Sequence, residues 1–352
     1  MVGRAPGRRR ARKVLVLLHP SLMPPESLEG HAPKAVVEWR AEYDVITTLR
    51  AAGHEVRVIG VLDDLGGLQA EVKAWEPDVV FNLLEEFDGI TAHDQHVVGL
   101  LEMLRQPYTG CNPRGLLLSR DKGLCKQVFA FHGIPTPAFA VFGDGRVRRL
   151  PKDLRFPLFV KSTTDDASLG IAQASIVHDV AALRERVAFV HERNRSAVLV
   201  EEFIEGRECY VGVLGNETLT TLPAWELDFG TMPAQLATIA TRKVKWDFDY
   251  RQRHGIGSRP AADLPAGAER EMARVAREVY RALGLSGFAR MDFRVRDDGR
   301  VFVLEANANP HLAAHEDFAR SAAAAGIDYP ALISRLLSLG LAYRSHWRIL
   351  YG

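Results

Sequence analysis

The stretch Gly287–Pro310, GFARMDFRVRDDGRVFVLEANANP, constrains the fold of this chain more than any other. Two alternating runs flank Asp298-Gly299, and an Asp-Gly pair between such runs predicts a hairpin with a two-residue turn. That turn pairs Asp297 with Arg300. Counting back, Asp292 then faces Glu305 and Arg290 faces Asn307. Side chains alternate along a strand, so these four share one face. The other face is expected to be core: Ala289, Met291, Phe293 and Val295 against Phe302, Leu304 and Ala306.

Like charges directly opposite each other in a sheet are destabilising, so the Asp292/Glu305 pair calls for a cation. Two carboxylates and an amide oxygen form a hard oxygen set. Such a set suits Mg²⁺ or Mn²⁺, with substrate phosphates completing the shell. Arg290 adds a fork for a phosphate or a developing oxyanion. A solvated edge hairpin and a glycosidase-type carboxylate pair stay open on these residues alone. The adjoining Asn and Arg fit a metal-phosphate site better.

At 352 residues the chain is long enough for two or three compact units. Its 45 basic and 44 acidic side chains leave a formal net charge of +1, which recommends neither nucleic acid nor an anionic membrane as partner. Small-molecule substrates are the expectation. Cys111, Cys125 and Cys209 lack metal or disulfide spacing, so a reducing cytoplasm is the expected location. Residues 1–12 read as a disordered basic tail, and the apolar segment Val14–Leu18 is too short for a signal-peptide core.

From Lys13 the pattern runs strand, helix, strand, helix, strand, which argues a parallel sheet. Ligands bind such sheets beyond the strand C-termini, which puts Asn82, Glu85 and Glu86 at a candidate ligand edge. A single helix is expected over about Ala35–Ala52, and Ser119 is read as opening the helix SRDKGLCKQVFAFHG at a domain boundary. The segment at 240–260 mixes bases, aromatics and glycines without a period, as a mobile lid would.

Several segments, taken in order, resemble the D-alanine:D-alanine ligase family of the ATP-grasp superfamily. They are PYTG and SRDK within Pro107–Lys122, GIPTP at Gly133–Pro137, FVK and SLGI within Phe159–Ile171, VLVEEFIEGRE at Val198–Glu208, ARMDFRV at Ala289–Val295 and LEANANP at Leu304–Pro310. The likeness covers nearly the whole chain after the basic tail. It implies an α/β ATP-grasp fold whose lobes mix α/β and α+β character. These are a parallel-sheet N-terminal lobe at 13–118, a central lobe at 119–201 and a C-terminal lobe at 202–345, the last carrying the lid and the hairpin at 288–309. Nucleotide is then expected between the central and C-terminal lobes.

By the same resemblance Lys122, Lys161 and Ser168 contact or cover the phosphates of ATP, Glu201, Glu202, Phe203 and Ile204 line the adenine pocket, and Glu208 holds the ribose. Lys245 is the lid lysine. Asp292, Glu305 and Asn307 are the magnesium ligands, and Arg290 stabilises the reacting oxyanion. The implied reaction joins a carboxylate to an amine through an acyl phosphate. The family also suggests a homodimer, which no stretch of this sequence independently demands.

The departures fall on substrate positions. Leu84-Glu85-Glu86 stands where a Leu-His-Gly motif is usual, and Asp166-Ala167-Ser168 where a Gly-Ser-Ser triplet is usual. His311 follows Pro310 in place of glycine, and Glu316 stands near the place of a serine for the second substrate's carboxylate. Glu85, His311 and Glu316 are therefore candidate substrate residues, and a substrate other than simple D-alanine is expected, because a carboxylate at Glu316 would repel another. Two other readings are a genuine D-alanine:D-alanine ligase and, from a different class, an ATP-binding regulatory protein without turnover.

Overall fold

The computed structural model describes residues 10–164, 170–233 and 235–345. They form two compact units. The first comprises the chain up to Gly110, Leu312–Ala314 and the chain from Asp328; the second comprises Cys111–His311 and His315–Ile327.

In the first unit, strands β1 (Lys13–Leu18), β2 (Glu55–Gly60) and β3 (Val79–Asn82) form a parallel sheet in the order β2-β1-β3. The central strand is apolar along its length because both faces are covered, and Val14–Leu18 are completely buried. The helix expected as one piece is two, Pro33–Glu38 and Arg40–Ala51, interrupted at Trp39. Asp44 on the second piece accepts from Arg40 at 2.7 Å and from the Ala314 amide at 2.9 Å.

The second unit holds two antiparallel sheets. Strands β4 (Phe139–Phe142), β5 (Leu158–Ser162), β6 (Ile176–Val177) and β7 (Val198–Glu202) run in the order β4-β7-β5-β6. The helix Val180–Asn194 covers this sheet, burying Leu183, Val187 and Val190 against Val160, Val198 and Val200. The larger sheet is built from β8 (Arg207–Leu214), β9 (Thr220–Thr221), β10 (Trp225–Asp228), β11 (Gly257–Pro260), β12 (Phe288–Val295) and β13 (Val301–Ala308), in the order β11-β10-β8-β12-β13 with β9 on β8. The amphipathic helix Ala268–Ala282 buries Met272, Val275, Ala276 and Val279.

Helix Lys122–Phe131 does not open at Ser119. Ser119 lies in the last turn of a separate helix, Pro113–Arg120, and Asp121 caps the next one by accepting from the Leu124 amide. An aspartate at this position satisfies an otherwise unpaired amide of the first turn. The segment at 240–260 is also more regular than its composition suggests. It forms helices Arg242–Trp246 and Phe248–His254, capped by Thr241 and Asp247, and then β11.

Candidate active site

The hairpin β12/β13 pairs Arg290 with Asn307 and Asp292 with Glu305, as the alternation predicts. The turn differs. Arg296 pairs with Arg300 across a loop of Asp297, Asp298 and Gly299, and Gly299 adopts φ +83°, which a residue with a side chain rarely takes. A bulge between Asp292 and Phe293 absorbs the extra residue, so Phe293 pairs with Val303. The core face of β13 is therefore Val301, Val303 and Ala306, while Phe302 and Leu304 are only partly buried. Leu304 is turned into a cleft.

That cleft holds about 590 Å³ of empty space, counting the solvent at its open mouth. Lys161, Glu201, Glu202, Phe203, Ile204, Glu208, Lys245, Asp292 and Glu305 all line it. So do Phe159, Ile171, Ile239, Ala240, Arg294 and Leu304, none of which was expected. The cleft joins an apolar slot to a charged end. Phe159 and Phe203 stack at 6.4 Å between ring centroids, and Arg294 lies over Phe203 at 5.9 Å.

Charges along the cleft are paired. Glu201, only 3% exposed, takes Lys126 at 2.6 Å and Lys161 at 2.7 Å. Burial opposes its ionisation, but the two ammonium groups outweigh that and hold its carboxyl below the usual range. Lys126 is 1% exposed and also donates to Thr136 at 2.6 Å; burial pulls its pKa down, with Glu201 opposing. Glu208 accepts from Arg294 at 2.9 Å and from the Tyr210 hydroxyl at 3.0 Å. Arg294 reaches further, to the Gly206 carbonyl at 2.8 Å and the Thr238 carbonyl at 2.7 Å.

At the hairpin end, Arg290 grips Asp292 with two hydrogen bonds, of 2.7 and 2.9 Å, and lies 4.6 Å from the centroid of Tyr210. Lys122 is 4.0 Å from Glu305. Burial raises the Asp292 carboxyl although Arg290 opposes it. Glu305 goes the other way: burial opposes ionisation, but Lys122, Lys161, Lys245 and Arg290 together lower its pKa. The facing acids thus sit in a field of four cations.

Among the described residues no cluster of three or more His, Cys, Asp or Glu is arranged to hold a metal. The hairpin offers two carboxylates and the Asn307 amide, whose buried Nδ2 has no partner. This donor set fits an ion that takes the rest of its shell from phosphate oxygens. Arg290 uses one lone pair on each Asp292 oxygen and leaves acceptor capacity on both.

Other candidates lie elsewhere. Glu85 is an exposed residue of the first unit, and His311 is exposed at the end of the segment after β13. Glu316 turns to His315 at 3.5 Å, with its side chain 37% exposed. Ser168 lies outside the described residues. Two residues missed from sequence carried a readable signal. Lys126 is one helical turn from Lys122, and Arg294 continues the alternation of Arg290 and Asp292.

Comparisons with known proteins bear on the family and the fold. The family model described as "D-ala D-ala ligase C-terminus" matches residues 128–338. The uncharacterized protein y4sG of Sinorhizobium fredii is 32% identical over 318 residues, spanning 87% of this chain and 89% of its own. A D-alanine–D-alanine ligase of Nitratidesulfovibrio vulgaris is 32% identical over 314 residues, spanning 86% and 95%. The crystal structure of the Bacillus anthracis D-alanine–D-alanine ligase complexed with ATP superposes with a TM-score of 0.71 at 24% identity, covering 97% of this chain and 100% of that one. The Coxiella burnetii enzyme gives 0.68 at 20%, covering 94% of each. These superpositions identify the fold as ATP-grasp, and the chain belongs to the D-alanine:D-alanine ligase family.

Proposed function

We propose that this chain is an ATP- and Mg²⁺-dependent carboxylate-amine ligase that forms an amide bond and releases ADP, and that at least one of its substrates is not simple D-alanine. The observation that carries the reading is the pairing of Asp292 with Glu305 beside Arg290, Lys122, Lys161 and Lys245. A kinase-like or ligase-like transfer needs an anionic nucleophile to approach a triphosphate, and this array of cations lowers the repulsion.

In this reading Phe203 and Ile204 face the adenine and Glu208, held by Arg294, takes the ribose. Lys122 and Lys161 meet the phosphates, and Ser168 belongs to the loop covering them. Glu201 acts by holding Lys161 and Lys126 in place. Asp292, Glu305 and Asn307 would hold the magnesium ion, which when bound supplies charge neutralisation on the phosphate oxygens. Arg290 faces the oxygen that becomes negative when the amine adds to the acyl phosphate. Lys245 on helix Arg242–Trp246 and the rest of the 240–260 lid keep water from the acyl phosphate.

The division into lobes at 13–118, 119–201 and 202–345 is part of the same reading, as are a cytoplasmic location and a homodimer. No helix among the described residues is long and apolar enough to cross a membrane. Glu85, His311 and Glu316 remain the candidates for substrate contact, because they occupy positions where the family's usual residues differ.

The test is to present ATP, Mg²⁺ and a pool of amino acids and amines and to follow ADP together with new amide products. ADP with an amide other than D-alanyl-D-alanine is expected. D-alanyl-D-alanine as the main product would restore the housekeeping ligase, ADP without amide would indicate a phosphotransferase, and absence of ADP would indicate a regulatory protein without turnover.

A further inference from the structure

The acceptor end of the site contains an acid that the sequence reading passed over. Helix Asp317–Ala324 follows Glu316, and its seat is set by Gly212 on β8, the cross-strand partner of Arg290. Opposed residues of an antiparallel pair point to the same face, so a side chain at 212 would stand beside Arg290. There is no room for one: a Cβ at Gly212 would lie 2.8 Å from the Phe318 ring and 2.7 Å from Leu222. Phe318 occupies that space and meets Phe288, also on the Arg290 face, with ring centroids 5.6 Å apart. The start of the helix is thereby pinned at the Arg290 end of the site.

Asp317, the residue before Phe318, has its Oδ1 shielded and without a hydrogen-bond donor. The neighbouring Glu316 is turned outward to His315. Around Arg290 the protein therefore leaves two buried polar atoms of opposite sense unsatisfied, the acceptor Oδ1 of Asp317 and the donor Nδ2 of Asn307. A shielded carboxylate oxygen without a donor is costly, so its retention points to a donor supplied from outside the chain. Arg290 donates through Nε and Nη2 to Asp292 and makes no hydrogen bond to Asp317 Oδ1.

We infer that Asp317 binds the ammonium group of the incoming amine substrate and takes one of its protons, so that the freed nitrogen lone pair adds to the acyl-phosphate carbonyl beside Arg290. The C–N bond forms as the C–O bond breaks, and inorganic phosphate leaves with the second proton. This rests on the ligase reading and specifies it: the second substrate is a cationic amine, recognised by Asp317. A substrate bearing only a carboxylate at this point would meet like charge.

The experiment compares two nucleophiles in wild type, Asp317→Asn and Asp317→Glu, with ATP, Mg²⁺ and a mixture of L-amino acids and D-alanine. Hydroxylamine, uncharged at neutral pH, traps acyl phosphate as hydroxamate without needing an ammonium site. The mixture itself supplies the amine for amide formation. In Asp317→Asn the amine concentration giving half-maximal amide formation should rise about 30-fold, the loss of one charge-assisted pair, with hydroxamate formation unchanged. Asp317→Glu should recover part of the amide activity. Equal loss of hydroxamate and amide would make Asp317 a structural residue, and loss of neither would remove it from the amine; both overturn the inference. Absence of hydroxamate in the wild type would overturn the ligase reading and the inference with it.

Discussion

The two ends of the cleft handle charge differently. At the Glu201 end every named charge has a partner within the protein: Lys126 and Lys161 on Glu201, Arg294 on Glu208. At the hairpin end two acids face each other, and Asn307 and Asp317 keep buried polar atoms without partners. A network closed by ion pairs holds its shape in the absence of ligand. An unsatisfied one is completed by what binds. On the ligase reading proposed above, the first end is scaffold for ATP and the second the place where metal and acceptor substrate enter.

Asp292→Asn should break the hairpin end with the largest effect. It removes one of two facing carboxylates and one partner of Arg290, and the rate of ADP formation should fall on the order of 10³-fold with the fold intact by circular dichroism. Unchanged turnover would remove the metal role.

Lys126→Met tests the paired end, where the expected loss is stability. Glu201 would keep only Lys161, and denaturant unfolding should show a loss of about 3 kcal/mol. A stable variant with ordinary nucleotide affinity would mean that Lys126 is not needed to hold the scaffold.

Glu42 in the first unit sharpens the contrast with Glu201. It too is buried, at 6% exposure, but its Oε2 has no partner, and burial raises its pKa to about 7, with Glu85 adding to the rise. The folded protein therefore holds a proton that the unfolded chain releases at lower pH. Stability should fall as pH rises from the ordinary carboxylate range to about 7 and level off above it. Glu42→Gln should flatten that slope and be more stable than wild type by about 3 kcal/mol above neutrality, measured by urea unfolding across pH. A parallel pH dependence in both proteins would contradict the assignment.

The smallest effect is expected for Arg294→Lys. An ammonium cannot span Glu208 and the carbonyls of Gly206 and Thr238 together, and ATP affinity should weaken about tenfold by calorimetry. No change would free Glu208 from dependence on Arg294.

How much of this was legible in the sequence follows the same division. Alternation along β12 and β13 gave the pairs at Asp292 and Arg290 because a polar face and an apolar face differ in composition. It could not give the bulge, since Leu304 looks equally suited to core or cleft, and the turn and the far end of the register were misplaced as a result. The only signal for Lys126 is its place one helical turn from Lys122, which a solvated lysine could equally hold; its burial against Glu201 distinguishes the two. The cap at Asp121 was missed because Ser119 offers the same chemistry two residues earlier, and the break at Trp39 carries no glycine or proline. Asp317 had no signal in spacing, since its role depends on where Gly212 admits Phe318.

The most direct test of the account is product analysis of the purified protein with ATP, Mg²⁺ and a pool of amino acids and amines, counting ADP against new amide by mass spectrometry. One amide for each ADP, with a product other than D-alanyl-D-alanine, is the predicted result. ADP without amide, or D-alanyl-D-alanine as the dominant product, would contradict it.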